Sequence, residues 1–121
     1  MKVYETELFI EKYFKDNWDG PIHYSNTEKM LNTDSWIYLE VAPIYNSTGI
    51  GGGTYTLTTI HITCYARNKV QAAVLLDNVV EFLNHLKVGD DVVTGWRPVG
   101  QGEIYNGLYF RKISFGLPTW N

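Results

Sequence analysis

The sequence predicts an α+β domain, a mostly antiparallel sheet of about four strands with two helices packed on one face. Three observations predict it. Apolar residues alternate from Trp36 to Val41 and again from Ile60 to Ala66, with glycines between, as in a hairpin that buries one face. A longer segment from Asn68 to Lys87 repeats its apolar residues at helical spacing. Two further strand-like segments close the chain, giving the order helix, strand, strand, helix, strand, strand. With 121 residues, 45% of them hydrophobic and 15% aromatic, the chain suits a single domain over 1–121 and has enough to bury one core.

The first helix is expected between Thr6 and Trp18, where Phe9, Ile10, Tyr13, Phe14 and Trp18 form a stripe. Glu7, Glu11 and Lys15 lie on another face, and Leu8 falls outside the stripe. Asp19 to Ser35 contains Gly20-Pro21 and many short polar residues, which predicts an irregular connection. From Trp36 to Ile44, Ile37, Leu39 and Val41 share one strand face and Trp36, Tyr38 and Glu40 the other; Pro43 marks a strand end or an edge. The run Asn46-Ser47-Thr48-Gly49-Ile50-Gly51-Gly52-Gly53 is expected to be a mobile hairpin tip. Thr54 to Ala66 returns antiparallel. Tyr55 and Leu57 have one parity, and Ile60, Ile62, Cys64 and Ala66 the other, which a β-bulge near Thr58 or Thr59 would reconcile.

Asn68 suits the N-cap of the strongest helix, expected to run to about Lys87 and end near Gly89. Gln71, Asp77, Asn78, Glu81, Asn84 and His85 make its polar side. Ala72, Ala73, Leu75, Leu76, Val79, Val80, Phe82, Leu83 and Leu86 fill the other half, wider than one sheet face needs, so a second element or subunit is expected there. Val92 to Val99 reads as a short strand, Gly100-Gln101-Gly102 as a turn, and Glu103 to Phe115 as the last strand, with a bulge or hairpin turn at Asn106-Gly107 and closure at Leu117-Pro118.

The formal net charge of -3 supplies no basic surplus to neutralise phosphates, which argues against a nucleic-acid partner. Arg111 and Lys112 are adjacent on a strand and so point to opposite faces. The single Cys64 allows no internal disulfide and reads as a buried packing residue. The first eleven residues carry no signal-peptide pattern, and no stretch has the apolar length of a membrane span; folding in a cytosol and no membrane partner are the expectations.

Candidate chemistry is sparse. Gly49-Ile50-Gly51-Gly52-Gly53 lacks the lysine and hydroxyl ending of a phosphate loop and leads into a strand. His23, His61 and His85 are too scattered for a metal motif. Asp77 with Glu81 and Asp90 with Asp91 read as solvated carboxylates, and none of Ser25, Ser35, Ser47 and Ser114 lies in a Gly-x-Ser-x-Gly elbow. No catalytic residue, cofactor or metal is therefore expected. The abundant resource is aromatic, with four Trp and nine Tyr, suited to cores and interfaces alike. Trp36, Tyr38, Tyr55, Trp96 and Trp120 are the candidate interface aromatics, and Gly49, Ile50, Gly51, Gly52, Gly53 and Thr54 the candidate interaction loop.

The stretch Trp36-Ile37-Tyr38-Leu39-Glu40-Val41, the glycine loop, the strand from Gly53 to Ala66, the helix from Val70 to Leu86 and the closing strand from Leu108 to Phe115 together resemble the phage tail terminator family, the lambda minor tail protein U type included. The likeness is one of element order along nearly the whole chain. It implies a ring, usually hexameric, that caps the head-proximal end of the tail tube, stops its growth and offers a head-joining surface. The implied partners are other copies of the chain, the tail tube protein and a head completion or connector protein; the implied location is the virion, after assembly in the host cytoplasm. Another virion neck role (head–tail connector or tail tube subunit) remains open. So do a bacterial interaction domain and a small ligand-binding or enzymatic α/β domain, the last marked by a deep pocket joining Asp90, Asp91 and a histidine.

Overall fold

Helical spacing near the start and strand alternation from residue 35 onward each produce the element they require. The computed structural model describes residues 3–24, 34–48, 54–89, 91–104 and 107–120. Helix α1 (Val3–Asn17) buries Thr6, Ile10 and Phe14, spaced four apart. It stops where the Asn17 Nδ2 donates to the Tyr13 carbonyl at 3.0 Å, just ahead of Gly20-Pro21. Phe9, expected in the buried stripe, is 37% exposed beside Leu8 at 47%, because Thr6 rather than Phe9 completes the row facing the sheet.

The connection expected to be irregular contains a short strand, β1 (Ile22–Tyr24), parallel to β2 (Ser35–Thr48) from Ile22↔Ile37 to Tyr24↔Leu39. Pro21 starts that ladder by accepting from the Ile37 N–H at 3.2 Å. Strand β2 pairs antiparallel with β3 (Thr54–Ala66). The bulge expected near Thr58 or Thr59 is instead on β2, where Tyr45 is the extra residue between Ile44↔Leu57 and Asn46↔Thr56. β3 keeps its phase because Thr58, buried, continues the inward row of Ile60, Ile62, Cys64 and Ala66.

Helix α2 (Lys69–Leu83) starts as its sequence requires: the Asn68 side chain accepts from the Gln71 N–H at 2.8 Å. It ends before Lys87. Asn84 leaves helical backbone (ψ 125), and His85 adopts φ 66. The chain then reverses through β4 (Lys87–Val88) and β5 (Asp91–Val92), with Gly89 at φ 65 between them. His85 N–H donates to Val93 O at 3.0 Å and Val93 N–H to Leu86 O at 2.9 Å, so backbone pairing replaces the last helical turn. Val88 and Val93, both buried, close that end of the core.

Strands β6 (Thr94–Ile104) and β7 (Leu108–Trp120) form the second hairpin. Gly100-Gln101-Gly102, expected to turn, lies inside β6, which pairs with β7 up to Ile104↔Leu108; Gly107 is at φ 73, Asn106 lies outside the described residues, and β7 continues past Leu117-Pro118. The glycines serve a cross-strand neighbour instead: Phe110 pairs with Gly102, and a Cβ on Gly102 would sit 3.2 Å from its ring.

The sheet order is β1-β2-β3-β7-β6, four long antiparallel strands plus the short parallel one. α1 packs over β2 and β3, and α2 mainly over β3 and β7. Ile37, Leu39, Ile60, Ile62, Ile113, Phe115 and Leu117 meet Ile10, Phe14, Val79 and Leu83 in one core. Each such side chain contributes about 1.5–3 kcal/mol by leaving water. The wide apolar arc of α2 is used within the chain, since Phe82 packs against the rings of Tyr13, Phe14 and Trp18 at 4.7, 4.7 and 5.1 Å. Among the described residues no helix is long and apolar enough to cross a membrane.

Candidate assembly surfaces

Residues pointing away from the helices form ladders across the uncovered sheet face. One row is Trp36–Tyr65–Phe110–Gly102; the next is Tyr38–Thr63–Lys112–Gly100; the third is Glu40–His61–Ser114–Arg97. Trp36 stacks on Tyr65 at 5.2 Å and 21°, with the Arg67 guanidinium 6.0 Å from its ring centre, and is only 4% exposed. Burial, and then the neighbouring Tyr38, push the Tyr65 hydroxyl up from its usual pKa. Tyr38 is half-buried. Thr59, Thr63 and Ser114 are buried on this same face.

His61 bonds Ser114 Oγ through Nδ1 at 2.6 Å. Burial first, then Lys112 and Arg97, lower its pKa against the opposing pull of Glu40, so the imidazole is neutral near pH 7. The row Glu40–His61–Ser114 has the residue types of a nucleophile, base and acid. Ser114, however, is 3% exposed in a central strand, so its oxygen is closed off from a substrate in this structure. The pair holds strands β3 and β7 in register.

Grooves among the described residues indent the surface. One of about 430 Å³ lies between α2 and the β6–β7 hairpin, with Lys69, Glu103, Tyr109 and Arg111 on its walls and the Lys69 ammonium 5.9 Å from the Tyr109 ring. The other, about 360 Å³, is bounded by Trp18, Pro21, Trp36 and Phe82. Neither is lined by a histidine or cysteine. Among the described residues, no group of three His, Cys, Asp or Glu is placed to hold a metal ion. Cys64 is buried, and burial pushes its thiol up to about 12.

The flanks carry the exposed apolar residues. On β6, Gly95 and Trp96 are bulged between Thr94↔Gly116 and Arg97↔Ser114, and Val99 between Pro98↔Ile113 and Gly100↔Lys112. The bulges turn Trp96 and Val99 outward, 45% and 48% exposed. On α1, Leu8 and Phe9 stand out, and on α2 Val70 and Val74.

Of the candidates read from the sequence, Trp96 is at the open sheet edge, while Trp36 is covered by its own chain. Tyr55 pairs with Trp120 in the β3–β7 ladder, but both side chains lie outside the described residues. Thr54 begins β3, paired with Thr48; Gly49, Ile50, Gly51, Gly52 and Gly53 lie outside the described residues, as does Asp90. Phe9 and Val99 were missed. Phe9 sits 100° from Thr6–Phe14 only once Thr6 is known to face inward, and Val99 becomes outward only through a bulge that alternation does not reveal.

These features define a class, a two-layer α+β domain whose helices cover one sheet face and leave the other open. The same fold occurs in a chain of the solved structure of the virion of native gene transfer agent (GTA) particle, with a TM-score of 0.60 and 10% identity over 93% of this chain and 92% of that one. No protein-family model matches the sequence, and no curated protein does.

Proposed function

We propose that the chain is a virion structural protein of the tail terminator type. It acts by forming a closed ring at the head-proximal end of a tail tube, ending tube growth and presenting the head-joining surface. The observation that carries this reading is the fold shared with a chain of a gene transfer agent virion across nearly the full length of both chains. It is supported by element order and by a surface built for contact, with Trp96 and Val99 turned out of a bulged edge and a sheet face free of helices. On this reading function is assembly without turnover: one flank of each subunit meets a different flank of the next until the ring closes.

Native mass spectrometry and light scattering over a concentration series, with imaging of large species, test it. A discrete ring near six subunits that halts tube growth when added to polymerising tube protein is expected. Open filaments would make the chain a tube subunit instead; a ring that binds the head vertex but leaves tube growth unchanged would make it a connector.

A further inference from the structure

The smaller groove is aromatic in its walls and of one sign in its charge. Trp18, Pro21 and Phe82 wall it, and Asn17 and Asn78 supply side-chain amides. Asp19, exposed, is its charged residue; among the described residues no lysine, arginine or histidine lines it. The groove also lies at the end of α1, since Asn17 is both its last residue and part of the lining. The last carbonyls of a helix have no partner within it and carry the negative end of its dipole, so a cation is favoured beside them and beside the Asp19 carboxylate. The chain's own nearby cations point elsewhere. Lys15, two helical turns after the exposed Leu8, is on the outer face of α1, and Arg67 is engaged with Trp36, 6.0 Å from its ring centre. Trp36 is 4% exposed and stacked on Tyr65, which leaves Trp18 and Phe82, both half-buried and standing 5.1 Å apart at 82°, as the rings a ligand meets.

We propose that this recess takes the arginine side chain of a partner protein, with its guanidinium against Trp18 and Phe82 and paired with the Asp19 carboxylate. A guanidinium answers each feature of the lining at once. Its charge meets Asp19 and the end of α1, its plane lies on aromatic rings, and its five N–H donors can reach the side-chain oxygens of Asn17 and Asn78 as well. The Asn17 Nδ2 is already spent on the Tyr13 carbonyl, so its oxygen is the end left to accept. An acidic side chain would be repelled, and an aliphatic one would leave the carboxylate without a partner. At about 360 Å³ the recess is at the small end of ligand clefts and suits a side chain rather than a folded element. No ring is needed for this contact: it stands on the recess, whatever assembly the subunit joins.

The test is a titration of the isotope-labelled full chain with blocked arginine (Nα-acetyl-arginine amide), followed by NMR. The Trp18 indole N–H and the Asn17 and Asn78 side-chain amides are expected to move along one saturable curve, at the millimolar affinity of a single side chain. Blocked citrulline, which keeps the plane and the shape without the charge, is expected to bind at least roughly threefold more weakly, and Asp19→Asn to cost arginine a similar factor while leaving citrulline unchanged. Asp19 is exposed, and circular dichroism with thermal melts verifies that the variant is folded. Equal binding of arginine and citrulline, or arginine binding indifferent to Asp19→Asn, would overturn the proposal. So would shifts centred on Tyr109 and Glu103 of the other groove, or no saturable shift at all. Tighter binding of blocked proline would overturn it too, and would make the recess a seat for a proline-bearing segment instead.

Discussion

Cys64 is buried in the core cluster with Ile37, Ile62, Val79 and Leu83, and this burial disfavours its thiolate. Burial pushes its pKa from 9.0 to about 12, so the folded protein holds this proton more tightly than the unfolded chain. Stability is therefore full below about pH 9 and falls as pH rises, by about 1.4 kcal/mol per pH unit in that window. Cys64→Ala should flatten that alkaline decline in urea titrations at pH 8 and pH 10, and a thiol reagent should modify wild-type Cys64 only at the rate of unfolding. His61 behaves in the opposite sense. Its lowered pKa means that the unfolded chain binds the proton more readily, so its contribution is present above the usual histidine range and is lost as pH falls. His61→Gln, which can still bond Ser114, should lose less stability between pH 7 and pH 5 than the wild type. An equal loss would show that the imidazole is not insulated in the row Glu40–His61–Ser114.

Element by element, local chemistry announced what local chemistry controls. Asn68 was legible as an N-cap because its role needs only the next three residues, and Asn68→Ala should lower stability by about 1 kcal/mol in denaturant titrations. An unchanged midpoint would mean that water serves Gln71 N–H equally well. The alternation of Ile37, Leu39 and Val41, and of Ile60, Ile62 and Cys64, was legible because both rows face one core. What failed depended on partners distant in sequence. Leu86 continues the helical pattern, yet the chain leaves the helix at Asn84 because Val93 offers backbone bonds to His85 and Leu86. Gly100 and Gly102 have turn composition but lie under Phe110, inside β6. The candidate surface was legible in part for the same reason. Trp96 and Trp36 look alike in sequence, and only a bulge in one case and Tyr65 in the other separates exposed from buried.

For the whole molecule, net charge hides an uneven distribution. The chain is only mildly acidic, yet α1 is negative and the β6–β7 hairpin positive. Subunit association in the proposed ring should weaken with salt where charged groups carry it, since the screening length falls from about 10 Å at 0.1 M to about 3 Å at 1 M. Light scattering at both salt levels checks this: unchanged particle mass at low protein concentration would place the association energy in apolar contacts.

The position of β7 bears on the protein's birth. It follows the other described strands in the sequence, yet it lies between β3 and β6 and brings Ile113, Phe115 and Leu117 to the core. While residues 108–120 are still inside the ribosome, β6 has no neighbour and α2 rests on half a sheet. At about 5–20 residues per second, the earlier segments spend seconds with apolar faces open. The sheet therefore closes only once β7 has been made, because until then α2 lacks the strand it packs on and β6 lacks the one it pairs with.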